Sequence, residues 1–218
     1  MKAFISIIFV LILSSTFGQN NVIDFVSDDV CKCIMLAKNL TTDTFRNCLN
    51  NSLEKNKDSI SKSNIFPNKD ASGEAASKLT KQIYSLVSVK MIYSCNPYFN
   101  LIDTSRYFEI HRLNQDSIKS EIQNISKIDA SKQDKDFFME RGVMYFQISD
   151  LDKALVDFDK FLQLYKWSFT TIYFKALTLE RKGDYNDAIE LYNKLARVTG
   201  QNYFNIFAAI ATRKKNGL

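Results

Sequence analysis

Apolar residues along this chain recur at the spacing of helix faces, with no sustained alternation of the strand kind. Between Gly73 and Cys95, the residues Ala76, Leu79, Ile83, Leu86, Val87 and Met91 mark one face of a helix. Asn96-Pro97 ends it, because proline disfavours helical geometry in the residue before it. Upstream, Val22 to Lys38 has helix-compatible apolar spacing. Thr41, Thr42 and Asp43 then offer N-caps for a second helix running to about Glu54, so the two predict an antiparallel hairpin. The stretch KNKDSISKSNIFPNKDASGE has no apolar period and carries both Pro and Gly, which predicts an exposed loop. Tyr98 to Arg112 holds aromatic residues without a period and yields no assignment. A further helix is expected from Asp116, as N-cap, through Ile118, Ile122 and Ile125 to about Ile128, ahead of the polar joint DASKQDKD.

From Lys135 the pattern repeats. Laying Lys135–Ser168 over Phe169–Asn202 brings Ala154 onto Ala188, a separation of 34 residues without a gap. In that register Gly142 falls on Ala176, Tyr145 on Leu179, Asp150 on Asp184, Leu155 on Ile189, Phe158 on Tyr192 and Phe161 on Leu195. Each copy reads as two helices joined by a short turn, ISDLD in the first and KGDYN in the second. The small residues Gly142 with Ala154, and Ala176 with Ala188, sit where the two helices of a copy cross, since a larger side chain would push the axes beyond the usual 8–10 Å or so. Gly183 suits a helix end with positive φ, and Ser149 must turn the same corner. YFNIFAAIATRKK then reads as a closing helix with a polar end.

The repeat resembles the tetratricopeptide repeat, a helix-turn-helix array of this length. The likeness covers Lys135 to Asn202. It keeps the small residue at the eighth position of each copy, the alanine at the twentieth and the aromatic at the twenty-fourth. It departs at Phe138, where the family favours Trp, at Phe161 and Leu195, where it favours a small residue, and at Lys166 and Gly200, where it favours Pro. CKCI, Cys48 and SCNPYF ahead of such repeats also resemble exported repeat proteins of Bacteroidetes-type bacteria. The expected organisation is all-α: a signal peptide at 1–18, a disulfide-stapled helical unit at 19–97, a connecting segment with one helix at 98–134, two repeats at 135–202 and a capping helix at 203–218. Two repeats rarely bury enough surface alone, so the preceding helix and the stapled unit are expected to cap the array.

Composition narrows the class without changing the fold. Two prolines and six glycines are few for 218 residues, which disfavours a barrel or sandwich of many tight turns. Charges are interspersed, as in LEKNKD and LERKGD, and the formal net charge is only +5, so a nucleic-acid surface is not expected. The N-terminus reads Met1-Lys2, then the uncharged run AFISIIFVLIL, then SSTFGQ. That is the layout of a secretory signal, with Thr16 and Gly18 as the small residues before a cut at Gln19. An uncleaved anchor is the alternative, but the apolar run is shorter than the roughly 20 residues that span a bilayer, so cleavage is expected and no membrane span remains after it. Losing Lys2 takes the formal charge from +5 to +4. The expected location is periplasmic or extracellular.

An even set of four cysteines in an exported chain implies two disulfides. With the hairpin turn near Thr41, Cys33 and Cys48 stand at matching heights, which favours Cys33–Cys48 and leaves Cys31 for Cys95. Cys31 lies about 200° round the helix from Cys33, so the two sulfurs face different neighbours. A redox or metal reading of Cys31-Lys-Cys33 competes with this. It meets sulfurs that point apart and a single histidine, His111, to which no role is assigned.

In tetratricopeptide arrays the first helices of successive copies line a groove for peptides. Register then implies Met139, Val143, Phe146 and Gln147, then Tyr173, Leu177, Glu180 and Arg181, then Phe207 as partner-binding residues. Met139 and Val143 stand where family members place carboxylate-clamping residues, so the implied ligand is an apolar or aromatic protein segment. No GxSxG, HExxH or Walker-type GxxxxGK occurs. Asp150, Asp152, Asp157 and Asp159 read as solvated charge around a helix start. The expectation is a non-enzymatic interaction scaffold without metal or cofactor. The alternatives are an accessory subunit of an envelope assembly, or a hydrolase whose carboxylates meet only in space.

Overall fold

The structure, a computed structural model, describes residues 22–63, 73–107, 113–128 and 133–218. The signal segment at 1–18 and His111 lie outside the described residues. Every regular element among those described is a helix, and the chain divides into two compact units, Met1–Ile102 and Asp103–Leu218.

The first unit holds α1 (22–36), α2 (Thr42–Lys55), α3 (Lys57–Lys62) and α4 (Glu74–Ser94), and the division falls within α5 (Asn96–Ser105). Thr41 caps α2: its hydroxyl accepts from the Thr44 N–H at 3.1 Å, satisfying one donor that the helix start leaves unpaired. Val26, Val30 and Ile34 recur every fourth residue along α1 and are buried, as are Phe45 and Leu49 of α2 and Ile83, Val87 and Met91 of α4. The Phe45 ring meets Tyr84 edge-on at 5.2 Å and Tyr98 at 4.7 Å. Two disulfides fasten this core, Cys33–Cys48 between α1 and α2 and Cys31–Cys95 between α1 and the end of α4. Cys33–Cys48 is the bond that the hairpin register favours, and Cys31–Cys95 is the pair it leaves. Two disulfides point to an oxidising compartment.

One expectation for this unit is corrected, and one segment without an assignment gains one. Residues 57–62, expected in a loop, form α3, because the single apolar residue Ile60 is buried and anchors a turn that has no periodicity of its own. Asn96-Pro97 does end α4, but α5 follows at once. Proline is tolerated in a first turn, where its missing N–H has no helical partner to lose.

In the second unit, α6 (Gln115–Ile125) is followed by α7 (Lys135–Gln147), α8 (Leu151–Leu164), α9 (Phe169–Lys182), α10 (Tyr185–Thr199) and α11 (Tyr203–Lys215), each packed on its neighbour in sequence. Asn114, not Asp116, caps α6, accepting from the Asp116 and Ser117 N–H groups at 3.1 and 3.2 Å, and α6 stops at Ile125. The 34-residue interval recurs in the helix starts, at 135, 169 and 203 and again at 151 and 185. It recurs in detail too. Asp134 and Ser168 cap α7 and α9 through their side chains. The Asp150 N–H bonds the Tyr145 carbonyl and the Asp184 N–H the Leu179 carbonyl, both at 2.9 Å. At those corners Ser149 has φ +65° and Gly183 φ +94°.

Close packing explains the small residues. A Cβ added at Gly142 would stand 2.7 Å from Cε1 of Phe158, whose ring is fully buried, so α7 and α8 approach as nearly as they do only because that Cβ is missing. Ala154, Ala176 and Ala188 are likewise inaccessible. Phe158 and Tyr192, one register apart, are the large side chains at the centre of each hairpin. Burying such a side chain is worth about 1.5–3 kcal/mol.

Candidate functional site

Helices α7, α9 and α11 turn one face toward the segment 103–107, and the chemistry of the second unit gathers there. Arg106 reaches Glu180 of α9 with both terminal nitrogens, at 2.9 Å from Nη1 to Oε2 and 2.7 Å from Nη2 to Oε1. Nη2 also donates to Asp103 at 2.6 Å. Lys214 of α11 donates to Glu180 at 3.0 Å and to Asp103 at 2.7 Å, and the Tyr192 hydroxyl donates to Glu180 at 2.9 Å. The guanidinium lies over the rings of Phe207 and Tyr107, 5.0 and 5.3 Å from their centroids. Tyr107 itself packs on the cluster of Phe146, Ala154, Phe158 and Leu177.

The Glu180 side chain has no exposed surface, and burial alone pushes its carboxyl up. Hydrogen bonds and charge from Arg106 and Lys214 outweigh burial, and the net direction is down. Burial drives the Tyr192 hydroxyl well above its ordinary value, and the Glu180 charge adds to the shift. Glu180 is therefore an ionised, fully engaged acceptor, the opposite of a carboxyl poised to give up a proton near neutral pH.

This arrangement decides what the expected partner-binding residues can do. Phe146, Leu177 and Glu180 are buried and present nothing to a ligand. Arg181 is committed too: it donates to the Phe146 carbonyl and to Ser149 Oγ, both at 2.8 Å, and covers the Phe146 ring. Met139 and Val143 are half-buried and pack around Phe146 and Phe158, and Gln147 accepts from Gln115 through its backbone carbonyl. The middle of the face is thus filled by the unit's own residues.

Tyr173 and Phe207 have another setting. They line an open cleft of about 750 Å³ between the start of α9, the end of α10 and the start of α11, together with Phe169, Val198, Tyr203 and Phe204. Thr170, Thr199 and Gln201 supply its polar rim. Phe169 and Tyr203 are each 45% exposed and stand one 34-residue register apart at the first position of α9 and α11. Sequence reasoning missed Phe169, Tyr203 and Phe204, because family register points to the interior of the first helices and the closing helix reads as a cap. The signal was present: an aromatic residue opens both the second copy and the closing helix, 34 residues apart.

The four aspartates are corrected in one respect. Asp157 is buried, not solvated, and receives Arg141 Nε and Nη2 at 2.7 Å each, a bidentate pair that joins α7 to α8. Asp159 pairs with Lys175, Asp152 with Lys182, and Asp150 with Lys153. In the first unit, a smaller cleft of about 500 Å³ lies against the Cys33–Cys48 bond and the exposed Leu36. Among the described residues no group of three or more His, Cys, Asp or Glu side chains is placed to hold a metal ion, and no helix is long and apolar enough to cross a membrane. Comparison with protein-family models, curated proteins and solved structures returns no match.

Proposed function

We propose that α7 to α11 are an array of the tetratricopeptide type and that the protein is an exported, non-enzymatic interaction module, periplasmic or extracellular, that docks an apolar segment of a partner protein. The open aromatic cleft carries this reading. Half-exposed rings at Phe169 and Tyr203, beside Tyr173 and Phe207, form an apolar surface that folding leaves unfilled while the rest of the face is closed. The 34-residue recurrence of caps, turn hydrogen bonds and buried alanines supports the repeat identity, and the two disulfides support export. The carboxylates of Asp157 and Glu180 are taken up by Arg141 and Arg106, which supports a binding role over a hydrolytic one.

The test is affinity capture from the envelope and secreted fractions with the wild-type chain and a Phe169→Ser, Tyr203→Ser variant whose circular dichroism matches it. A partner held by the first and lost by the second is expected. Equal recovery by both would move the interface away from the cleft.

A further inference from the structure

We infer that the cleft takes an uncharged, proline-rich segment in the polyproline II conformation. This inference rests on the reading of the cleft as a docking site. Its floor is a continuous aromatic surface. Tyr203 lies 4.3 Å from Phe204 and 5.6 Å from Phe207, and Tyr173 lies 6.1 and 5.8 Å from the same two rings, centroid to centroid. No charged side chain lines it, so an acidic tail, a phosphate or a basic segment finds no counter-charge there.

The polar groups narrow the occupant further. Gln201 is exposed at the cleft, and its side-chain amide supplies N–H donors beside the rings. A rim that donates fits a backbone rich in unpaired carbonyls. A polyproline II segment has no internal hydrogen bonds, and each proline brings an acceptor without a donor. A bound helix would arrive with most of its carbonyls already paired. An added strand needs a sheet edge, and no strand occurs among the described residues.

Tyr173 of α9 meets the Phe204 and Phe207 rings of α11, so the aromatic floor runs from one helix to the other. Polyproline II rises about 3.1 Å per residue with three residues per turn, so side chains at i and i+3 share a face about 9 Å apart. Such a face lies along the aromatic floor, with Phe169 and Tyr203 among the rings that border it. Because the conformation exists before binding, little ordering entropy is lost.

The experiment titrates the full, oxidised chain with an end-capped peptide of Ala-Pro-Pro triplets. Calorimetry measures the binding, and Trp167 reports on it as the sole tryptophan, its ring 5.5 Å from that of Phe169. Two end-capped peptides of equal length serve as comparisons, one with every proline replaced by alanine and one of Leu and Ser. Saturable binding of the proline peptide is expected. Tyr203→Ala should weaken it at least tenfold without changing the melting temperature, with Phe169→Ala as the second variant should the first fail to fold. The alanine peptide should bind at least tenfold more weakly. Equal or tighter binding of either comparison peptide would overturn the polyproline assignment while leaving the cleft as a docking site. Absence of binding by all three peptides would overturn it as well, and a captured partner indifferent to Phe169 and Tyr203 would remove the underlying reading too.

Discussion

At Glu180, burial and charge act in opposite senses, and charge wins. Its ordinary value is 4.5 and the folded value lies lower. The unfolded chain therefore takes up a proton at a higher pH than the folded one, and the group's stabilisation is complete above about pH 4.5 and fades as pH falls through the folded value. Removing one partner of a buried pair costs about 3–5 kcal/mol, because the other charge stays buried without compensation. Glu180→Gln should lose about that much in urea unfolding at pH 7, and the gap to wild type should narrow steadily below about pH 4.5. A gap unchanged between pH 7 and pH 3 would show that the cluster is not held by ions. Ser149 presents a different account. Left-handed geometry costs a residue with a Cβ about 1–2 kcal/mol, and glycine escapes it at the same corner one register later. Ser149→Gly gives up the hydrogen bond from Arg181 and some chain entropy, so a net gain of about 0.5 kcal/mol is expected. The mirror change, Gly183→Ala, meets no atom within 4 Å and should lose about 1 kcal/mol through the backbone alone. Thermal denaturation of both variants measures the contrast.

Among the elements, α1 to α4 depend on covalent links that differ in exposure. Cys31, Cys95 and Cys48 are buried at 9%, 1% and 5% exposure, whereas Cys33 is half-buried and borders the open cleft beside Leu36, so its sulfur is the accessible one. Thiol–disulfide exchange needs access to a sulfur. Limited reduction followed by alkylation and peptide mapping should label Cys33 and Cys48 first, with Cys31 and Cys95 appearing only as the unit unfolds. Prompt labelling of Cys31 would contradict the packing around Val30 and Ile34. The links also differ in reach, with a sequence separation of 15 for Cys33–Cys48 and 64 for Cys31–Cys95. On loop-closure grounds each stabilises by about 3–4 kcal/mol, the longer slightly more. The bond that opens first is thus the one whose loss costs less.

For the molecule as a whole, legibility followed the range of the interactions. Helix caps, the 34-residue register and the small residues at the crossings are set by neighbours a few positions away or one copy apart, so Ala154, Ala188, Gly142 and Gly183 could be read directly from the chain. Arg106 could not, because its partner Glu180 lies 74 residues on and the segment that carries it has no period of its own. The same holds for the site. Tyr173 and Phe207 were reachable through register, but Arg106 and Tyr107 cover the middle of that face, and among the described residues the open cleft is bordered by Phe169 and Tyr203. The two sources of stability also fall in different units, the disulfides within Met1–Ile102 and the Arg106–Glu180 cluster within Asp103–Leu218. Chemical reduction and acid should therefore loosen different parts of the chain. Hydrogen exchange read by mass spectrometry should show faster exchange across α1, α2 and α4 after reduction at neutral pH, with α7 to α10 still protected. Glu180→Gln at the same pH should reverse that pattern. Loss of protection throughout the chain under either treatment would mean that it unfolds as one cooperative body, and that the staples and the ion cluster stabilise a shared core.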